Sequence, residues 1–67
     1  MQKEGNISWG ESPTHSWTVW RNKWGSWRWQ VSANLSKWLV IDHAASEEAA
    51  LDAVRRTLVD RGDPMAF

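Results

Sequence analysis

Sixty-seven residues allow one small domain, and a chain of that length buries only about 60% of the surface its unfolded form exposes. There is no cysteine, which excludes disulfides and thiolate metal sites and leaves dense aromatic packing or a partner subunit as supports. Eight basic and eight acidic residues give a net charge of zero, and no apolar run approaches the ~18 residues of a membrane span.

Residues 1–15, MQKEGNISWGESPTH, lack the apolar core of a signal peptide, so a soluble cytoplasmic protein with no membrane partner is expected. Gly5, Gly10 and Pro13 make this segment read as a flexible N-terminal arm. Ile7 and Trp9 alternate with Asn6 and Ser8, which would also suit a short extra strand or a docking hook.

The stretch from Ser16 to Ile41 holds six of the seven tryptophans, four basic residues and no acidic one. Residues 16–21 read as a first strand, with Trp17 and Val19 on one face and Thr18 and Trp20 on the other. Asn22-Lys23-Trp24-Gly25 carries turn chemistry. Residues 26–32 form a second strand with Trp27, Trp29 and Val31 on a buried face and Arg28, Gln30 and Ser32 on a wet one. Ala33–Ser36 is the next turn. Residues 37–42 form a third strand that is apolar on both sides. Leu39 and Ile41 are assigned to the helix side and Trp38 and Val40 to the outside.

A helix follows. Ser46 suits the N-cap, and Glu47 and Glu48 lie where the helix dipole favours acids. Ala50, Leu51, Val54 and Leu58 make an apolar stripe, and Asp52 and Arg56 a surface pair. Gly62 suits the left-handed C′ position, and Pro64 stops the helix. The expected architecture is therefore α+β: a ββ(β)α domain over residues 16–62, a three-stranded antiparallel sheet against one C-terminal helix. Residues 63–67 form a tail in which Phe67 docks or frays.

Trp24-Gly25-Ser26-Trp27, Trp29-Gln30-Val31, Lys37-Trp38-Leu39 and Ser46-Glu47-Glu48-Ala49-Ala50 together resemble the AP2/ERF domain of plant transcription factors. The arm-binding domains of tyrosine integrases are similar in architecture. The resemblance spans roughly residues 16–61. It implies a three-stranded sheet laid in the DNA major groove with a helix behind it. The family's DNA-contacting positions fall at Trp20, Asn22, Trp24, Gln30, Ser32 and Trp38. Most are arginines in the family, and only Trp24 and Trp38 match in type.

His15 and His43 lack metal-ligand spacing, and no nucleophile–base arrangement or phosphate-cradling glycine loop occurs. A non-enzymatic protein without cofactor is expected. The charge is unevenly spread: residues 1–40 carry five basic and two acidic groups, net +3, and residues 41–67 three basic and six acidic, net −3. That asymmetry points to a charged face for a partner. The candidate binding residues are Trp20, Arg21, Lys23, Trp24, Arg28, Gln30, Lys37 and Trp38. Basic residues neutralise phosphates, and indoles stack on bases, so nucleic acid, DNA foremost, is the first expected partner. Tryptophan and arginine also dominate protein hot spots. The alternative is thus a protein-interaction module, such as a small phage or mobile-element product that inhibits a host protein. Self-association through exposed tryptophan is a further expectation.

Overall fold

Turns containing glycine or asparagine set the path of the chain. The computed structural model describes residues 1–63. Five strands, β1 (Gln2–Glu4), β2 (Ile7–Glu11), β3 (His15–Arg21), β4 (Trp27–Ala33) and β5 (Leu39–Ala44), pair in sequence order in one antiparallel sheet. Helix α1 (Glu47–Asp60) follows and lies against one face. The α+β class with a C-terminal helix holds, but the sheet has five strands where three were expected.

The two additional strands come from the segment read as an arm. Gly5-Asn6 is a two-residue turn between the opposed residues Glu4 and Ile7. Gly5 takes φ +59°, the glycine-first pattern that two-residue hairpins favour. Gly10 has a different reason to be glycine. It faces Trp17 across β2 and β3, and a Cβ there would come within 2.8 Å of the indole ring. A side chain would displace the indole, so the bare backbone lets Trp17 lie flat over β2.

Residues directly opposite in the ladders share a face. Ser8, Gly10, Trp17, Val19, Trp29, Val31 and Val40 thereby lie on the helix side. Val19, Val31 and Val54 are fully buried, and Trp17, Trp29, Ala50 and Leu58 complete the core. The helix stripe meets the sheet as expected, with Leu51 partly buried at its margin. Ala50 opposes large indoles with a small side chain, a volume match that fills the layer. Trp27 packs at the rim of this core rather than in it.

The helix caps follow their local chemistry. The Ser46 side chain accepts from the Ala49 N–H at 3.1 Å, and Gly62 has φ +74° just past the Arg61 C-cap. Asp52 pairs with Arg56 at 2.9 Å and also with Arg55 at 2.7 Å. Lys3 on β1 reaches Glu47 at 2.9 Å, tying the first strand to the start of the helix. Asp63, assigned to the tail, is buried. The expectation about Phe67 lies outside the described residues.

The facing of β5 is the reverse of expectation. The Ala33 N–H donates to the Trp38 carbonyl at 3.0 Å, so these two residues oppose each other across a loop of residues 34–37. Trp38, Val40 and Ala44 therefore pack toward the helix, and Leu39, Ile41 and His43 face away. A four-residue connection, whether 33–36 or 34–37, puts Trp38 on the same face as Val31. Loop length decides the register, and a one-residue slip reverses every side chain. The strand expected to end at Asp42 continues through His43 to Ala44.

Candidate functional site

The face of the sheet away from α1 has no described element over it. Its side chains form rows across the strands. Gln2, Trp9, Thr18, Gln30 and Ile41 make one row. Glu4, Ile7, Trp20, Arg28 and His43 make the next. Glu11, Ser16, Ser32 and Leu39 make a third. Five of these residues are large and apolar: Ile7, Trp9, Trp20, Leu39 and Ile41. Leu39 is 54% exposed and Ile41 47%. Arg28 is the one Lys or Arg in these rows, and Glu4 and Glu11 sit on the first two strands.

The eight residues proposed from sequence divide into three groups. Trp20, Arg28 and Gln30 lie on the open face, with Arg28 directly opposite Trp20. Arg21, Lys23 and Trp24 belong to the β3–β4 hairpin end. There Asn22 Oδ1 accepts from the Trp24 and Ser26 N–H groups and Gly25 takes φ +82°. That turn holds Trp24 77% exposed, with the Lys23 ammonium 4.7 Å from its ring centre. Arg21 Nε donates to the Gly25 carbonyl at 3.4 Å. Lys37 sits at the opposite end of the sheet, in the β4–β5 loop.

Trp38 does not belong to the open face. The Arg61 guanidinium lies over its ring at 3.9 Å, and His15 meets it edge-on at 6.0 Å. Its position among the DNA-contact residues implied by the AP2/ERF resemblance is corrected accordingly. Trp20, Gln30 and Ser32 keep outward positions; Trp38 faces the helix layer. Ile7 and Trp9 were missing from the expected site. The Gly-Asn pair before Ile7 is a recognised two-residue hairpin signal, and it would have placed both on a strand.

A second cluster was not anticipated. Asp63 Oδ2 accepts from Ser12 Oγ at 2.5 Å and from Thr14 Oγ1 at 3.2 Å, and lies 3.1 Å from His15 Nδ1. Arg61 Nε donates to His15 Nε2 at 3.2 Å, which leaves the ring proton on Nδ1, facing the carboxylate. Ser, His and Asp are the residue types of a nucleophilic triad, but the connectivity differs. The Ser12 hydroxyl bonds the carboxylate, and Arg61 occupies the ring nitrogen that would have to take its proton. The cluster instead fastens the end of the helix to the β2–β3 loop. Asn34 continues it, donating to the Ser12 carbonyl at 2.8 Å and accepting from Ser16 Oγ at 2.7 Å.

Beside this cluster is an open recess of about 190 Å³, with Thr14, His15, Leu35 and Arg61 in its wall. Small-molecule sites usually run to ~300–1,000 Å³. Among the described residues no three His, Asp or Glu side chains are placed to hold a metal ion, and no helix is long and apolar enough to cross a membrane. No family model, curated protein or solved structure matches the chain.

Proposed function

We propose that this chain is a small non-enzymatic binding domain that engages a protein partner through the open face of its sheet. The observation that carries this reading is the pairing of Ile7, Trp9, Trp20, Leu39 and Ile41 on one uncovered face with Arg28 as its one guanidinium. Ile7, Trp9 and Trp20 cluster on one side of Arg28 and Gln30 and Leu39 and Ile41 on the other; exposed apolar surface marks interaction sites, and tryptophan and arginine are the anchors such sites favour. The polar fringe of Gln2, Glu4, Glu11, Ser16 and Ser32 matches the rim of a protein interface. Zero net charge also suits a protein partner better than a polyanion.

Nucleic acid is the second reading. It is favoured by the β3–β4 hairpin, where exposed Trp24 stands beside Lys23 and Arg21. An indole flanked by cations is suited to stacking on an unpaired base next to a phosphate. The sheet itself supports this reading less, because Lys37 lies at the far end and Trp38 on the other side.

Immobilised wild type and a Trp9→Ser/Trp20→Ser double variant, each shown to be folded, distinguish the readings. Loss of a protein partner from the double variant supports the first. An unchanged set of partners removes the open face from consideration. For the second, binding to single-stranded and duplex DNA is titrated against salt. Each neutralised phosphate contributes a slope of about −0.7 to −0.9 in log affinity against log salt. Undetectable binding at low salt ends the nucleic-acid reading, and the Trp24→Ala variant checks whether the hairpin carries any that is found.

A further inference from the structure

We infer that strand β5 is a self-pairing edge: two copies of this chain join antiparallel along Leu39–Ala44 into one continuous ten-stranded sheet. The inference rests on backbone geometry and does not depend on which partner the open face takes.

The two edges of the sheet differ sharply. β1 is three residues long and carries Lys3 and Glu4, so it is short and charged, the usual means of blunting an edge. β5 is six residues long and contains no proline, lysine or arginine. No described residue pairs with its outer side.

Hydrogen-bonded and non-hydrogen-bonded pairs alternate along an antiparallel ladder. The Ala33 N–H to Trp38 carbonyl bond sets that phase: the Trp38 carbonyl and the backbone groups of Val40, Asp42 and Ala44 turn toward β4. Leu39, Ile41 and His43 therefore point their N–H and C=O groups outward. The His43 N–H agrees, since it donates at 2.8 Å to the carboxylate of the adjacent, exposed Asp42. Three consecutive outward donor–acceptor sites remain without a ladder partner.

A twofold axis normal to the sheet brings two β5 strands together with facing residues on the same side. Three registers are available. Centring on Asp42 places two carboxylates directly opposite each other, which like-charge repulsion disfavours. Centring on Val40 pushes His43 past the end of the strand, opposite Lys37 of the loop. Centring on Ile41 has neither fault. Ile41 meets Ile41 of the second copy, and Leu39 meets His43 at each end. All three outward residues then exchange two hydrogen bonds apiece with a partner. The Leu39 carbonyl of the second copy replaces the Asp42 side chain as acceptor for the His43 N–H. Asp42 faces Val40. On the open face, Leu39 and Ile41 of both copies become one apolar band, set apart from Trp9 and Trp20 by Thr18, Arg28 and Gln30.

Analytical ultracentrifugation of the full chain over a wide concentration range reads the association directly. Wild type should form a dimer. Ile41→Lys places an edge charge at the twofold on an already exposed side chain, and should raise the dimer dissociation constant by roughly tenfold or more while circular dichroism stays unchanged. The chain has no cysteine, so single substitutions report position cleanly. Ile41→Cys should cross-link rapidly on oxidation, because the hydrogen-bonded pair sets its Cα atoms about 5.5 Å apart, within disulfide reach. Leu39→Cys should not, since its copies lie more than about 13 Å apart. A wild type that stays monomeric throughout overturns the inference. So does a dimer that survives Ile41→Lys but dissolves in the Trp9→Ser/Trp20→Ser variant, or one in which Leu39→Cys cross-links and Ile41→Cys does not.

Discussion

On the helix side of the sheet Trp17 and Trp29 are buried, while on the other side Ile7, Trp9, Leu39 and Ile41 keep between a third and just over half of their surface in solvent. The two faces use the same kinds of side chain on the same strands. What separates them is coverage: α1 presents Ala50, Val54 and Leu58 to one face, and no described element meets the other. Hydrophobicity alone therefore does not assign a role to a residue in this chain. An indole under the helix stabilises the fold, and an indole on the bare face costs exposed apolar surface that a partner can recover.

This contrast can be broken or sharpened by mutation, with urea unfolding as the common measurement. The largest effect should come from Trp29→Ala. Removing a buried indole costs about 3–5 kcal/mol, comparable to the whole stability of a domain this small. A loss below about 1 kcal/mol would mean that the helix-side face is not the core. Next comes the Asp63 lock. Asp63→Ala removes a buried carboxylate that bonds Ser12, Thr14 and His15, and losing the hydrogen bonds of a buried charged group should cost about 1–3 kcal/mol in all. Gly10→Ala should cost a similar ~1–3 kcal/mol through overpacking against the Trp17 ring. Its diagnostic is a changed indole environment in near-ultraviolet circular dichroism. Ser46→Ala removes the helix N-cap and should cost about 1 kcal/mol. The smallest effect belongs to the bare face: Trp9→Ser should change stability by less than about 1 kcal/mol, the scale of a cross-strand pair. A Trp9→Ser loss equal to that of Trp29→Ala would erase the distinction between the faces.

The parts of the fold that were readable beforehand share a short range. Ser46 bonds a group three residues away, Gly62 answers to its own φ, and the alternation of Trp27, Trp29 and Val31 against Arg28 and Gln30 lies within one strand. The β3–β4 turn is equally local, since Asn22 and Gly25 build it by themselves. Of the candidate site, Trp20, Arg28 and Gln30 were placed correctly because their neighbours in sequence fixed the facing of β3 and β4.

The remainder needed distant residues. β5 is apolar on both sides, so its own pattern carries no facing. The ladder to β4 selects Trp38 and Val40 for the core, and Arg61 closes over Trp38 from the far end of the helix. Residues 2–11 are too polar to demand burial, and their order comes from pairing with β3 and from Lys3 reaching Glu47. Asp63 is an ordinary polar residue in a tail until folding sets Ser12, Thr14 and His15 around it, about fifty positions earlier in the chain. Local chemistry, acting over three or four residues, determined the helix, its caps and the central hairpin. Register and long-range hydrogen bonding exist only once the strands are side by side, and they decided which tryptophans hold the protein together and which lie on the open face.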